Sequence, residues 1–175
     1  EAYDKVARLL GLGYPGGPII DKLSRGRVPN SRVFPEGQVR EGSETGGLPH
    51  EFCMSFSGLK TALLNKVTQN PPQSEDEIAQ IATDYQEAVV QALVKRCDKA
   101  LGSADYLAVG GGVSLNSRLR VCLAQLCEKR GVRLLMALPK HCGDNAAMVA
   151  GLACMGRGIS SPESYELDIN PSWAV

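Results

Sequence analysis

Two short apolar segments in the second half of the chain are each followed by a helical pattern, and this order constrains the fold more than any other feature. The segments at residues 106–109 and 133–136 are predicted strands. A helix with a leucine stripe is predicted after the first, and a helix of small residues reaching about Met155 is predicted after the second. This alternation predicts an α/β fold whose ligands bind at the carboxyl ends of the strands.

Polar residues stand where these two helices are predicted to begin. Ser114 is predicted to cap the helix after the first strand. Either Asp144 or Asn145 is predicted to open the helix after the second strand. Both helix starts follow directly on the carboxyl end of a strand, where a ligand would bind.

The beginning of the chain is predicted to be helical and then irregular. Residues 2–10 have apolar positions at helical spacing, and the glycines and prolines of residues 14–18 predict a tight turn. A short helix is predicted at 19–24. Residues 25–50 show no period and predict a long exposed loop, which in a domain of this size is typically functional or mobile.

The middle of the chain is predicted to contain one strand and two helices. The strand is predicted at 51–56, and Ser57 is predicted to cap the helix that follows it. Ser74 and Glu77 form a capping-box pattern for a long helix that ends near Leu101. The stripe of this helix that is predicted to face the core consists of Ile78, Ile81, Tyr85, Val89, Leu93 and Cys97.

Bulk composition excludes several classes of protein. The chain has 19 basic and 19 acidic residues, so no overall positive field indicates nucleic-acid binding, although a local basic face remains compatible with it. No apolar run approaches the roughly 20 residues that a membrane span needs. The six cysteines include no CxxC pair, which argues against a structural zinc site. No signal segment opens the chain, which favours a reduced, cytosolic protein.

A glycine turn follows the first predicted strand. Gly110, Gly111 and Gly112 lack side chains, so backbone N–H groups there can approach an anion at the start of a helix. Asn116 can offer both a donor and an acceptor to a ribose or a carbonyl group. The same turn is also common for packing alone, so the residues leave both interpretations open.

An acid follows the second predicted strand. Asp144 is a hard oxygen ligand for a divalent metal, and His141 is a softer candidate nearby. The competing interpretation is that Asp144 only caps the last helix. His50, the other histidine, falls in the predicted loop.

A second candidate acid lies near the start of the chain. Asp4 can accept hydrogen bonds from a ribose, and Gly17 in the following turn allows a ligand to approach closely. A solvated acid beside Lys5 explains the same residues equally well. The chain contains neither a GxxxxGK[ST] phosphate loop nor a GxSxG nucleophile motif, which excludes those two enzyme classes.

Five motifs occur along the chain in a fixed order: EAYDKVARLLGLGYPGGP, MSFSGLKTA, YQEAVVQALVKR, VGGGVSLNSRLR and CGDNAAM. Together they resemble the C-terminal half of the TsaD (formerly Gcp) proteins over about residues 1–158. The resemblance implies one RNase H-like lobe of the actin, Hsp70 and sugar-kinase fold at 1–158, followed by a peripheral tail at 159–175. The N-terminal lobe of that fold is expected to come from outside this chain.

The resemblance also implies a reaction and its components. Members of the family transfer the threonylcarbamoyl group of threonylcarbamoyl-AMP to the N6 of the adenosine next to the anticodon of tRNA. They use a divalent metal, iron or zinc, and act with partner proteins of the tRNA-modifying complex. The implied location is the cytoplasm, or the mitochondrion for a eukaryotic source.

The family's site residues can be carried over by position. Asp4 and Gly17 match residues that hold the ribose and adenylate, and Asp21 matches a contact found in part of the family. Asp144 matches the metal-binding aspartate, preceded here by Gly143 in place of the usual Thr or Ser. The remaining residues expected to contact the nucleotide are Gly111, Gly112 and Asn116.

One departure from the family pattern limits what the chain can do alone. The family's HxxxH metal pair and its upstream glycine-rich segment do not occur, since the only histidines are His50 and His141. We therefore expect half a site, inactive in isolation. Two alternatives remain open: a related carbamoyltransferase with another acceptor, and a non-catalytic scaffold of the complex, against which the retained Asn116 and Asp144 argue.

Overall fold

In a computed structural model, residues 2–30, 33–37, 39 and 45–157 are described, and they form α-helices and a small two-stranded parallel sheet. The helices are α1 (Ala2–Leu9), α2 (Gly16–Ser24), α3 (Ser57–Gln69), α4 (Glu75–Leu101), α5 (Ser117–Arg130) and α6 (Ala146–Cys154). The strands are β1 (Tyr106–Val109) and β2 (Arg133–Met136), and the 3-10 turns are His50–Phe52, Gly112–Leu115 and Pro139–His141. The predicted tail at 159–175 lies outside the described residues.

The sheet consists of the two strands that the sequence predicted. β1 and β2 are parallel, with Tyr106 paired to Arg133 and Val109 paired to Met136. The Ala137 amide donates to the Val109 carbonyl at 3.0 Å and extends the ladder past β2. Because the two strands are parallel, with α5 connecting them, both carboxyl ends lie at the same edge of the sheet.

The long helix α4 joins two hydrophobic cores. Ser74 caps it by accepting from the Glu77 amide at 3.2 Å, while the Glu77 carboxylate accepts from the Gln73 amide at 2.7 Å. The predicted stripe is confirmed as core, either buried or packed against buried residues. Buried members of the first core include Val6, Ile20, Leu59, Leu63, Ile81, Tyr85 and Val89, and those of the second include Val90, Leu101, Leu119, Leu123 and Leu126.

Side chains of α4 hold the segment between α2 and α3. The Asp84 carboxylate accepts from the backbone and side-chain nitrogens of Asn30 at 2.8 and 3.1 Å. The Arg96 guanidinium donates to the carbonyls of Cys53 and Gly37 at 3.1 and 3.3 Å. The described residues of the predicted 25–50 loop have no helix or strand before the turn at His50, as expected.

The strand predicted at 51–56 is wrong. A 3-10 turn occupies His50–Phe52, and the following residues are irregular. The Arg96 side chain takes the Cys53 carbonyl that a neighbouring strand would have used. Backbone groups satisfied by a side chain do not require a sheet partner.

Two predicted caps and one predicted helix start are also wrong. Ser57 is the first residue of α3 and makes no cap, and Ser114 lies before α5, where Asn116 makes the cap instead. Helix α2 begins at Gly16 rather than Ile19, because the Asp4 carboxylate accepts from the Gly16 amide. Of the two candidates for the start of α6, Asn145 is the cap.

Candidate functional site

Asp4 connects α1 to the start of α2. Its Oδ1 accepts a hydrogen bond from the Gly16 amide at 2.8 Å. This backbone hydrogen bond lowers the pKa of Asp4, so the carboxylate stays charged. Pro15 offers no side-chain cap, and Asp4 therefore satisfies one of the first amides of α2.

The two glycines at the start of α2 have different surroundings. A Cβ at Gly16 would lie 2.4 Å from the Tyr3 carbonyl oxygen, so the close approach of α1 and α2 requires glycine there. A Cβ at Gly17 would meet nothing within 4 Å. Gly17 therefore borders open space next to Gly16, the residue that Asp4 holds. This space would let a ligand approach the backbone.

Asp21 connects α2 to α5. It is buried, and its Oδ1 accepts from the Ser117 amide at 3.0 Å and from the Ser117 hydroxyl at 2.7 Å. Its Oδ2 accepts from the Arg25 guanidinium at 3.2 Å. Both oxygens are engaged within the protein, so a ribose contact would have to use their remaining lone pairs.

Asn116 is held by two hydrogen bonds. Its Oδ1 accepts from the Leu119 amide at 2.9 Å and caps α5. Its Nδ2 donates to Oε1 of the buried Gln86 at 2.7 Å. These contacts fix the amide orientation while leaving one N–H and one lone pair for a ligand.

The glycine turn after β1 is open to approach. Gly111 has φ +80°, a conformation that glycine adopts without strain, and a Cβ there would meet nothing within 4 Å. A Cβ at Gly112 would reach only the Cys142 carbonyl, at 4.0 Å. The turn therefore presents backbone to solvent at the carboxyl edge of the sheet.

Asp144 lies after β2 and is exposed. Asn145, not Asp144, caps α6 by accepting from the Met148 amide at 3.1 Å. Among the described residues, the Asp144 carboxylate has no hydrogen-bond or ion-pair partner, so the interpretation of this residue as a simple cap is wrong.

The described residues do not by themselves form a metal site. They contain no group of three His, Cys, Asp or Glu side chains placed to bind an ion. His141 lies in the exposed turn before Cys142, and His50 lies in the turn before α3. Asp144 fits a metal as one oxygen ligand of a larger set.

Hydrogen bonds made by the predicted site residues, or by residues next to them, connect the segments that carry them. Asp4 contacts the start of α2, and Asp21 on α2 contacts Ser117, the neighbour of Asn116. Ser114 contacts Cys142, two residues before Asp144. These contacts order the starts of α2, α5 and α6. None of them reaches His50.

Sequence reasoning missed a groove of about 430 Å³ beside these contacts. Gln86 and Glu87 of α4 line it, together with Arg25, Ser117 and Arg118. Glu87 accepts two hydrogen bonds from Arg118, at 2.7 and 2.9 Å. Hydrogen bonding to Arg118 lowers the pKa of Glu87. No local pattern in the sequence signalled the groove, because polar residues occur along the whole length of α4.

A second depression, of about 640 Å³, surrounds Asp4. Two basic residues, Lys5 and Arg8, line it together with Gly13 and Tyr14. Positive charge beside the acid suits a ligand that carries both hydroxyl and phosphate groups. Among the described helices, none combines the length and apolar character needed to cross a membrane.

Comparison with known proteins identifies close relatives. The sequence profile of the family TsaD, described as tRNA N6-adenosine threonylcarbamoyltransferase, matches residues 1–151. A protein of that name from Nostoc punctiforme is 45% identical over 168 residues, which cover 93% of this chain and 47% of the relative. The relative of that name from Geobacter sp. strain M21 is 40% identical over 179 residues, covering all of this chain and 49% of the relative.

The similarity extends across further cyanobacteria. The protein of the same name from Thermosynechococcus vestitus is 43% identical over 167 residues, covering 93% of this chain and 46% of the relative. The chain therefore spans about half the length of the curated relatives that it matches.

Proposed function

The chain belongs to the TsaD family, and from that premise we propose that it supplies the adenylate-binding half of an enzyme that transfers a threonylcarbamoyl group from threonylcarbamoyl-AMP to the N6 of adenosine in tRNA. The observation that carries the proposal is a set of three hydrogen bonds at the starts of α2 and α5. Asp4 accepts from the Gly16 amide, Asp21 accepts from the Ser117 amide, and Gln86 accepts from the Asn116 side chain and so orients it.

We propose that the nucleotide lies along α2 and the start of α5. Asp4 accepts hydrogen bonds from the ribose, and Gly17 allows the sugar to approach the backbone. The groove beside Ser117 takes the base, where the Gln86 amide offers a donor and an acceptor. The phosphate can pair with the positive charges of Lys5 and Arg8, which line the depression around Asp4. The open turn at Gly111 and Gly112 offers it backbone N–H groups.

We propose Asp144 as the one metal ligand that this chain contributes. A divalent iron or zinc ion, when bound, polarises a carbonyl or phosphate oxygen of the adenylate. The exposed carboxylate of Asp144 is suited to hold it, since Asn145 already caps α6. Its other ligands come from outside the described residues, because no three-ligand group occurs within them.

The chain's own contribution to the reaction is then positioning. Fixing the carbonyl carbon of the donor against the adenosine amine replaces a bimolecular encounter with an oriented one, which is a large source of acceleration. The hydrogen bonds of Asn116 to Gln86 and Leu119 keep its amide in place before the substrate binds. The glycine turn offers backbone N–H groups to the negative charge of the departing adenylate.

We propose that the chain forms an RNase H-like lobe of the actin, Hsp70 and sugar-kinase type, closed by a second lobe that spans the rest of the relatives' length. Helix α6 is apolar yet exposed, with Val149 at 70% and Leu152 at 56%. An apolar helix in this state favours a covering partner. The two-stranded sheet, which would be small for a lobe of that fold, favours additional strands from the same source.

The test combines this chain with the remaining half of a TsaD protein, either fused or co-expressed. The complex receives threonylcarbamoyl-AMP, unmodified tRNA and the partner proteins, and the tRNA nucleosides are measured by mass spectrometry. We expect threonylcarbamoyladenosine only when both halves are present. Its absence from the complete mixture would refute the proposal and favour another acceptor or a scaffold.

A matched pair of variants tests the role of Asp144. Asp144→Ala should reduce product formation at least about tenfold, as loss of a metal ligand or its support typically does. Asp105→Ala is the control, because Asp105 is an exposed aspartate at the amino end of β1, on the opposite edge of the sheet. Equal activity of the two variants would contradict the metal role.

A further inference from the structure

Ser114 and Cys142 contact each other across the two turns that follow the strands. The Ser114 hydroxyl donates to the Cys142 sulfur at 3.3 Å. The two residues are 2% and 3% exposed. Ser114 belongs to the turn after β1, and Cys142 directly follows the turn after β2. The contact therefore joins the two loops at the carboxyl edge of the sheet.

The Cys142 thiol is held from its other side as well. Its sulfur lies 3.4 Å from the Leu138 carbonyl oxygen and 3.6 Å from that of Ala137. The thiol can donate to one of these while accepting from Ser114. Arg120 reinforces the arrangement, because Nε donates to the Ser114 carbonyl at 2.7 Å and Nη2 to the Ala137 carbonyl at 3.5 Å. We call the Ser114–Cys142 contact and the Arg120 bonds the turn clasp.

The turn clasp lies between two of the proposed site residues. Asn116 is two residues after Ser114, and Asp144 is two residues after Cys142. A displacement of either turn would therefore change the separation of the amide and the carboxylate. In a reaction limited by orientation, an error of this kind in placement is costly.

We propose that Cys142 is a positioning residue, which through Ser114 sets the separation between the adenylate-binding Asn116 and the metal-binding Asp144. The inference rests on the proposed function for the roles of Asn116 and Asp144, but the clasp itself is a property of the fold. Sequence patterning alone gave Cys142 no role in the site. The hydrogen bonds of the buried thiol give it this role.

Hydrogen exchange on the 175-residue chain tests the clasp without any reference to activity. The Ser114 and Asn116 amides donate to the carbonyls of Gly111 and Val113 within the first turn, and the Cys142 amide donates to the Pro139 carbonyl within the second. Loss of one buried partner should speed local exchange roughly tenfold. Cys142→Ala should do so at Ser114 and Asn116, and Ser114→Ala should do so at Cys142.

The control is another buried cysteine. Cys127 is 2% exposed and lies on α5, away from both turns. Cys127→Ala should lower the overall stability without a selective change at the three reporting amides. Reciprocal, selective acceleration in the two clasp variants supports the proposal. Changes confined to the mutated turn, or the same pattern in Cys127→Ala, would overturn it.

In the completed enzyme, which is this chain combined with the remaining half of a TsaD protein, kinetics test how the turn clasp affects the reaction. Cys142→Ala should lower kcat about tenfold with a smaller change in KM, because binding groups persist while their alignment is lost. Cys142→Ser, which keeps a donor and acceptor, should recover most of the rate. A KM-only effect would count against positioning. If the complex without substitutions makes no threonylcarbamoyladenosine, the proposed function fails. The exchange measurement still decides whether the turn clasp couples the two turns.

Discussion

Asp21 and Ser117 lie 96 positions apart in the sequence, and one carboxylate oxygen of Asp21 accepts both the amide and the hydroxyl hydrogen of Ser117. The contact attaches α2, which carries Gly17, to the start of α5, which carries Asn116. It therefore couples two parts of the proposed nucleotide site that are distant in sequence. Because the carboxylate is buried, the contact also contributes to stability.

Replacing Asp21 is expected to destabilise the fold. Asp21→Ala leaves the Ser117 amide and hydroxyl without their acceptor, and an unsatisfied buried group costs about 1–3 kcal/mol. The Arg25 guanidinium, whose side chain is 67% exposed, is solvated instead and adds little. We expect the free energy of unfolding, measured with urea, to fall by about 2 kcal/mol or more. Ser117→Ala should cost less, since its amide still donates to Asp21.

An exposed ion pair provides the control for this prediction. Asp98 pairs with Arg130 at 2.6 Å, with both side chains 44% exposed. Exposed pairs contribute about 0–1 kcal/mol, so Asp98→Ala should change the free energy of unfolding by less than that. An equal loss of unfolding free energy in Asp21→Ala and Asp98→Ala would show that the buried hydrogen bonds between α2 and α5 stabilise the fold no more than an exposed ion pair does.

The adjacent glycines of α2 should respond in opposite ways to alanine. At Gly16 the added Cβ would meet the Tyr3 carbonyl oxygen at 2.4 Å and the Ala7 Cβ at 2.8 Å. Overpacking of this kind costs about 1–3 kcal/mol, and backbone contacts give little relief, so we expect a loss near the upper end. At Gly17 the space is open, and alanine should leave stability unchanged or raise it by up to about 1 kcal/mol.

Ligand binding separates the two glycines further. If Gly17 borders the ribose, Gly17→Ala should weaken binding of an adenylate analogue about tenfold while the protein stays folded. Thermal unfolding and calorimetric titration on the completed protein measure the two quantities side by side. A Gly17→Ala protein with unchanged affinity would remove Gly17 from the site.

Much of the fold could be predicted from local patterns. Both strands and the long helix α4 were predicted with correct or nearly correct bounds, because apolar periodicity, Ser74 and flanking glycines are local signals. Two of the errors arose where a distant side chain replaced a local partner. Arg96 takes the Cys53 carbonyl, and Asp4 takes the Gly16 amide, and neither contact is visible in a short window of sequence.

The candidate site, like the fold, could be predicted only where its signals are local in the sequence. Glycine turns and acids at helix starts marked Gly111, Asn116 and Asp144 from the sequence. The Asn116 contact with Gln86 could not be predicted, because it depends on how α4 packs against α5. The pairing of Glu87 with Arg118 depends on the same packing. Tertiary contacts of this kind carry no periodic signal.

The two residues before α6 should separate stability from chemistry. Asn145 caps the helix, so Asn145→Ala should destabilise α6 by about 0.5–2 kcal/mol. Asp144 has no partner among the described residues, so Asp144→Ala should leave stability unchanged while reducing metal binding in the completed protein. Helix content by circular dichroism and metal titration measure the two effects. A larger loss of helix in Asp144→Ala would return that residue to the role of a cap.

The pairing of Glu87 with Arg118 predicts a pH dependence of stability. The hydrogen bond from Arg118 lowers the pKa of Glu87 in the folded state below its unfolded value of about 4.3. The unfolded state therefore binds more protons as the pH falls, so this contribution to stability is complete above about pH 5 and is lost as the pH falls through the folded pKa. Asp4, whose pKa is lowered by the Gly16 amide, contributes in the same direction.

Glu87→Gln removes the titrating group and should reduce the slope of stability against pH between about pH 5 and pH 3, without abolishing it. Arg118→Ala should reduce the slope in the same way, because Arg118 is the principal cause of the lowered pKa. The double variant should add nothing further, since both changes remove one interaction. Urea unfolding at a series of pH values measures the slope. An undiminished slope in Arg118→Ala would show that the ion pair does not hold Glu87 in its charged form.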